Sequence, residues 1–384
     1  MRWITRLILY SSILQSSFGF QLSAISIRNK ITLLLHSISS NIIDDEDDDK
    51  ARVLFLGTPD VAAMSLKTIY EQSQCPNSAY TIVGVVTKKR ICKRKPSPVR
   101  LVAEELDLPY ILYPEKASNI DFLNELENIV KPDLCITAAY GEYLPKRFLQ
   151  LPKFGTLNIH PSLLPRWRGA SPVQRSLEAG DNPVGVSVLF TTSKMDSGPI
   201  ITQKILTINE NDQATTIRPR LYDIGTQLLL DILPKVIAGE ITMNNASIQD
   251  ESQAVEASKI NTAEGQLHPE SMSAIECHNR VRGFSLWPGT YIYIQIGEDD
   301  EKREPIKMKI AESNVLDKTM LHSNNFIQIG PNAKDGLRLV CADGSVLELR
   351  KVQPITRNGH TMDARSFVNG LQGQSVRWID LKEN

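Results

Sequence analysis

The chain has 384 residues, with 43 Lys and Arg against 44 Asp and Glu and 41% hydrophobic residues. This length leaves room for two domains, and a net charge of −1 gives no electrostatic sign of a nucleic-acid coat. No run reaches the ~20 apolar residues that a membrane-spanning helix needs, and the five scattered cysteines form no Cys-x-x-Cys pair, so neither a membrane nor a metal is expected.

In chain order, the first 43 residues hold Arg2, Arg6, Arg28 and Lys30, many serines and no Asp or Glu. Acid-poor, Arg- and Ser-bearing N-termini resemble organelle transit peptides. The expected destination is the mitochondrion. The alternative is the plastid, because Leu7 to Leu14 is apolar behind two arginines and is followed by Phe18 and Phe20. The acidic block from Asp44 to Asp49 repels itself and reads as a solvated linker, closing a leader over residues 1–50.

Folded sequence starts at Arg52-Val53-Leu54-Phe55-Leu56, a short apolar run ended by Gly57. Continuous runs of this kind are strands covered on both faces. Thr81 to Thr87, Tyr110 to Leu112, Asp133 to Ala138 and the run into His160 repeat the style, with helix-like stretches at Val99 to Leu106 and Ile120 to Val130. This alternation predicts an α/β, Rossmann-like, doubly wound parallel sheet over residues 51–240. No Gly-x-Gly-x-x-Gly and no Gly-x-x-x-x-Gly-Lys follows the first strand, so the usual dinucleotide and triphosphate signals are missing. Residues 241–262 turn polar and lose periodicity, as a linker would. Beyond them, over 263–384, short alternating runs at Thr290 to Ile294, Ile306 to Ile310, Phe326 to Ile329, Leu337 to Val340 and Val346 to Leu349 predict a small antiparallel β-barrel.

The residues with most chemical content are Asn158 and His160, at the end of an apolar strand. Side chains two apart on a strand share a face. A second apolar run, Val184 to Phe190, precedes Asp196-Ser197-Gly198, which offers a carboxylate at the same rim. Ligands of open parallel sheets bind beyond the carboxyl ends of strands where the strand order reverses, and Tyr140, Asn158, His160 and Asp196 are expected there. Taken singly, His160 reads as a structural histidine, Asn158 as a turn cap and Asp196 as a turn former.

These residues sit within longer ordered words: Gly57-Thr58-Pro59-Asp60, Pro96-Ser97-Pro98-Val99, Ala138-Ala139-Tyr140-Gly141, the run from Asn158 to Ala170, Met195-Asp196-Ser197-Gly198, and Val281 to Gly289. Together they resemble the folate-dependent formyltransferase family, in its branch acting on methionyl-tRNA, from about residue 51 to the C-terminus. The resemblance implies transfer of a formyl group from 10-formyltetrahydrofolate to the amine of initiator methionyl-tRNA by a monomer, with an OB-like second domain that holds tRNA. It further implies that Asn158 donates to the formyl oxygen, that protonated His160 stabilises the developing oxyanion, and that Asp196 keeps His160 charged and oriented. Ser162, Leu163, Leu164 and Pro165 would meet the reduced pterin through backbone groups and apolar walls, with Tyr140 and Gly141 as the neighbouring wall.

Lys88, Lys89, Arg90, Lys93, Arg94 and Lys95 place six basic residues within eight positions. Such a run is ordinarily a solvated loop. By resemblance it is the flexible loop that meets the tRNA acceptor stem, and Arg166 and Arg168 are further expected tRNA contacts. Two departures bear on selectivity. The basic loop is shorter than usual and lacks a glycine-rich centre, and Val61 stands where relatives often carry Phe. The second domain is not basic either, with fifteen basic and fifteen acidic residues over 265–384. The alternatives are a formyltransferase acting on another amine, such as an amino sugar nucleotide or glycinamide ribonucleotide, and a catalytically silent RNA-binding relative.

Overall fold

The computed structural model describes residues 50–92, 95–297, 304–316, 327–329, 336–355 and 359–380. The expected leader through Asp49, and Lys93 and Arg94 of the basic run, lie outside the described residues.

The first part of the chain supplies strands β1 (Ala51–Gly57), β2 (Tyr80–Val86), β3 (Arg90–Cys92), β4 (Lys95–Pro96), β5 (Tyr110–Leu112), β6 (Leu134–Ala138), β7 (Thr156–His160), β8 (Arg168–Gly169), β9 (Val184–Phe190) and β10 (Ile200–Leu206). Seven of them form one sheet in the order β10-β9-β7-β6-β1-β2-β5. From β5 to β7 every pairing is parallel, as the continuous apolar runs predict, whereas β9 runs antiparallel to both β7 and β10. The chain winds outward one way from β1 and then the other way from β6, so the order reverses between these two strands.

Helices α1 (Asp60–Ser73), α2 (Pro98–Glu105), α3 (Ile120–Glu125), α4 (Lys146–Leu149), α5 (Pro172–Glu178) and α6 (Ala214–Ile237) belong to the same region. The stretch from Ile120 to Val130 is not one uniform helix. It turns into a π-type turn at Leu126–Val130 and ends at left-handed Lys131, where the Arg52 guanidinium donates to the carbonyls of Val130 and Lys131.

Burial on the two sheet faces differs in a way that creates the site. One face packs Val53, Phe55, Ile136, Leu157, Ile159 and Val186 against side chains of α1 and α6. Gly225 lets α6 seat closely there, since a Cβ at that position would stand 2.5 Å from Ile159 Cγ2. The other face packs Leu54, Leu56 and Cys135 with Phe122 and Phe148. Moving across it toward β9, the lining becomes polar, with Thr137, Asn158, His160 and Ser187 at or beyond the register where the apolar core stops.

Residues 241–262, expected as a linker, pack back on this sheet domain. Strand β11 (Glu256–Ala257) pairs in parallel with β8, and Ser247 bridges to Ile200 at the sheet edge. The second domain then follows as α7 (Ala274–Gly283), β12 (Thr290–Ile296), β13 (Ile306–Leu316), β14 (Gln328–Ile329), β15 (Leu337–Val340), β16 (Val346–Pro354), β17 (Met362–Asp363), α8 (Ala364–Gly370) and β18 (Val376–Ile379). Its antiparallel sheet has the order β14-β15-β16-β13-β12-β18, with β17 added to β16. Irregular register near Glu312 bends the long β13, as bulges do. A backbone bond of 2.9 Å from Ile327 to Val376 draws the two edges together, which gives the expected barrel-like form.

A capping box of Ser273 and Glu276 starts α7. That helix packs on α5 of the first domain, with Gly283 against the Gln174 carbonyl and Arg280 paired to Glu178. Arg175 adds bonds to Glu178 and Glu264, and the described residues from Ala51 onward belong to a single compact unit.

Candidate active site

Asn158 and His160 leave β7 on the face opposite Leu157 and Ile159, as strand alternation dictates. Asp196 comes from the loop after β9, six residues past Phe190 rather than at the strand end itself. The loop nevertheless returns it to the same place. His160 Nδ1 lies 3.6 Å from Asp196 Oδ2, and Asn158 Nδ2 lies 3.4 Å from Asp196 Oδ1. The Gly169 N–H donates to Asp196 Oδ2 at 2.9 Å and fixes the carboxylate between β7 and β8.

The orientation of each group follows from its partners. The Thr137 hydroxyl lies 2.8 Å from Asn158 Oδ1 and donates to it, so the amide nitrogen faces Asp196 and the open side. His160 Nε2 faces the Trp167 carbonyl at 2.8 Å, and a carbonyl only accepts, so this nitrogen carries hydrogen. The other ring nitrogen faces a carboxylate. A ring with hydrogen on both nitrogens therefore complements these neighbours best. At 3.6 Å the His160–Asp196 contact is an ion-pair distance, too long for a hydrogen bond, and such contacts often tighten only when substrate binds.

Backbone strain collects around the same point. Among the described non-glycine residues six have positive φ, and three of them, Ala139, Trp167 and Asp196, border this site. Left-handed conformations of bulky residues cost on the order of 1–3 kcal/mol and persist only where surrounding bonds over-determine them. Here those bonds come from a segment that looked featureless in sequence. Gln249 donates to the carbonyls of Asp196 and Gly198, and Glu251 bridges Arg168 and Lys194. Lys194, then Arg168, holds the Glu251 carboxyl below its usual range.

Several expected roles need correction. Arg168 is buried, bonded to Gln249 and Glu251, and so braces the site instead of offering a surface charge to RNA. Arg166 makes a two-pronged pair with Asp181 at 2.9 Å and lies over the Trp167 ring, and with its side chain 46% exposed it braces the loop between β7 and β8 while keeping its charge at the surface. The Tyr140 side chain is buried in the second core with Leu144 and Phe148, and burial raises its phenol well above the usual value, so only its backbone is free to form a wall. Ser162 directs its hydroxyl to the Arg166 carbonyl, and Leu164 is buried while its N–H donates to Ser187 Oγ.

Gly141 is exposed, with φ of +77° and nothing within 4 Å of the place a Cβ would occupy, and Leu163 and Pro165 are half-buried. Apolar edges and backbone groups beside three polar side chains fit a reduced pterin carrying a formyl group. Among the described residues, a His268, Glu270 and Asp380 grouping has donor atoms within 4.8 Å of one another, but it sits on the second domain and takes no part in the trio.

The basic run differs from a simple flexible loop. Its described residues form a hairpin of β3 and β4 between the end of β2 and the start of α2. Ser97 anchors it, accepting from the Arg100 N–H as helix cap and bonding Thr87 at 2.6 Å. Lys88 pairs with Glu142 at 2.8 Å, next to Gly141, while Lys89, Arg90 and Lys95 are exposed. Thr137, Gln249, Glu251 and the Gly169 N–H were not singled out from sequence. A lone hydroxyl in the apolar run Leu134 to Ala138 was a usable signal for Thr137, whereas nothing in the polar stretch marked Gln249.

Comparison with known proteins accords with this geometry. Residues 51–233 match the family described as Formyl transferase, and residues 259–372 match the Formyl transferase C-terminal domain. The methionyl-tRNA formyltransferase of Macrococcus caseolyticus is 30% identical over 331 residues, which is 85% of this chain and 97% of that one. The Caldicellulosiruptor saccharolyticus protein of the same name is 34% identical, over 83% and 97%. Among solved structures, the N-formyltransferase of Helicobacter canadensis with folinic acid and dTDP-3-aminofucose aligns with a TM-score of 0.55 at 17% identity, covering 78% of this chain and 98% of that one. HypX from Aquifex aeolicus with tetrahydrofolic acid gives 0.54 at 13%, over 84% and 47%. These two likenesses speak to the fold alone.

Proposed function

The chain belongs to the formyltransferase family, and we propose from that premise that it formylates the amino group of methionyl initiator tRNA, with 10-formyltetrahydrofolate as donor. The observation that carries the reading is the convergence of an amide, an imidazole and a carboxylate from β7 and the loop after β9. Its acceptor is supported by relatives named methionyl-tRNA formyltransferase that align along both domains.

The donor supplies a formyl carbon attached to nitrogen, which an amine can attack. An aminoacyl ester amine has a reference pKa near ~8, so a useful fraction is unprotonated near neutral pH and no strong base is needed. The amine nitrogen bonds to the formyl carbon, the bond from that carbon to the folate nitrogen breaks, and the proton lost by the amine is delivered to the leaving nitrogen. Asn158, oriented by Thr137, donates to the formyl oxygen as negative charge develops there. His160 adds positive charge and a mobile proton, held against Trp167 and Asp196. Preorganised donors of this kind are each worth on the order of 10²-fold to 10³-fold in rate.

Exposed Lys89, Arg90 and Lys95 on the hairpin lie beyond the end of β2, where they would meet acceptor-stem phosphates, so affinity for tRNA should fall steeply with salt. The leader composition supports a mitochondrial address, with the plastid as alternative, and a fluorescent fusion of residues 1–50 distinguishes them. A monomer is the assembly state proposed. The central test supplies the purified protein with formyl donor and methionine-charged initiator or elongator tRNA, and follows acid-stable formylmethionine. Product on initiator tRNA supports the proposal. Formylation of a small amine without product on tRNA replaces it with another acceptor, and tRNA binding with no transfer to any amine replaces it with a silent relative.

A further inference from the structure

We propose that Gln249, in the connector between the two domains, is a positioning residue for Asp196 and thereby sets the rate of formyl transfer. Residues 234–258 lie between the two family-matched regions, and from residue 241 onward the sequence reads as polar and aperiodic. Gln249 is nonetheless buried to 5% exposure while its neighbours Ile248 and Asp250 are exposed.

Both amide hydrogens and the amide oxygen of its side chain are engaged around the site. Nε2 donates to the Asp196 carbonyl at 2.8 Å and to the Gly198 carbonyl at 2.7 Å. Oε1 accepts from Arg168 Nε at 3.0 Å. The reverse amide orientation is excluded by chemistry, because it would set an oxygen against two carbonyls and an NH₂ against a guanidinium. Both backbone ends that Gln249 grips belong to the turn in which Asp196 adopts a φ of +48°. Few non-glycine residues adopt that conformation, aspartate more readily than most, and the two bonds from Gln249 hold the turn in it.

The same connector also fixes the group that binds the Asp196 carboxylate. Strand β11 pairs with β8, and the Arg168 N–H donates to the Val255 carbonyl at 2.9 Å. Gly169 lies so close to β11 that a Cβ would stand 2.6 Å from the Ala257 carbonyl oxygen, and its N–H is the donor to Asp196 Oδ2. Arg168 is tied on to Glu251, which reaches Lys194 on the Asp196 loop at 2.6 Å. One segment therefore holds the backbone of Asp196 and the backbone that receives its carboxylate. Gln249 is the buried link between these two halves, beside the exposed one through Glu251 and Lys194, since its amide touches the Asp196 turn on one side and Arg168 on the other.

The inference rests on the catalytic reading of Asp196 given above. Its test is a double-mutant cycle in the full chain with Gln249→Met, which keeps volume and removes all three bonds, and Asp196→Asn. Formyl transfer is measured at saturating acceptor with the donor concentration varied. Gln249→Met alone should lower kcat about 10-fold to 100-fold, as expected for a misplaced reacting group, and leave KM for the donor within about threefold. In the Asp196→Asn background the same substitution should cost less than about twofold, because the side chain it positions is already disabled. Should Gln249→Met not accumulate as folded protein, Gln249→Glu, which keeps the acceptor facing Arg168, takes its place in the cycle. Equal losses in both backgrounds, a kcat near the parent value, or a loss confined to KM would overturn the proposal. If Asp196→Asn alone retains the parent rate, the catalytic reading of Asp196 fails, and that single variant reports it separately.

Discussion

Replacing Asp196 with Asn removes one charge from the site and, with Oδ1 kept on the Gly169 N–H, also replaces by an NH₂ the oxygen that lies 3.4 Å from Asn158 Nδ2. Asn can still accept the Gly169 N–H through its Oδ1, so the loop keeps its anchor. What disappears is the attraction between the carboxylate and the His160 ring at 3.6 Å, with both side chains largely buried at 6% and 16% exposure. Coulomb's law at an effective dielectric near ~20 gives that attraction about 4–5 kcal/mol, a ceiling of roughly 10³-fold in rate. Only the part that grows between ground and transition state counts toward kcat, so the expected loss is about 10²-fold to 10³-fold. Donor binding involves the neighbouring apolar edges and should change less than about threefold. Single-turnover transfer, followed as acid-stable formylmethionine alongside equilibrium titration of the donor, separates the two effects. A transfer rate within about fivefold of the parent would refute the argument that His160 depends on this carboxylate.

Thr137→Val keeps the shape of a buried residue and deletes the hydroxyl that orients Asn158. Losing about 1 kcal/mol of amide orientation predicts a kcat lower by roughly five- to tenfold, with the melting temperature little changed, and an unchanged kcat would show that Asn158 is held by other contacts. His278, between the domains, bonds Ser313 and the Glu210 carbonyl, and burial, with nearby Arg282 adding to it, lowers its pKa. The unfolded chain then binds a proton on this residue near pH ~6.5 that the fold resists, so its stability penalty is absent above that pH and accumulates as pH falls toward the lowered folded value. His278→Gln, which preserves a donor and an acceptor, should flatten the drop in melting temperature between neutral and mildly acidic buffer. Identical drops in parent and variant would contradict this.

The doubly wound sheet was legible because its strands are continuous apolar runs, and β5 and β15 fall on the residues expected. Burial on both faces leaves a strand little freedom to be anything else. The pairing of Asn158 with His160 was legible for a related reason, since period-two geometry puts them on one face whatever surrounds them. The long-range family words carried the rest of the reading.

Sequence by itself thus determined the main strands and helices, the order in which they follow and the residues of the trio, all of which depend on local periodicity or on residue identity. Tertiary structure decided which side chains were already occupied. Arg168 looks like a surface cation until Gln249 and Glu251 arrive from 81 and 83 residues away to satisfy it in the interior. Gln249 looks like one more polar residue in a linker until β11 lays the connector along β8. Hydrogen-bond satisfaction is a property of three-dimensional neighbours, and a buried polar group must be paired by whichever segment reaches it.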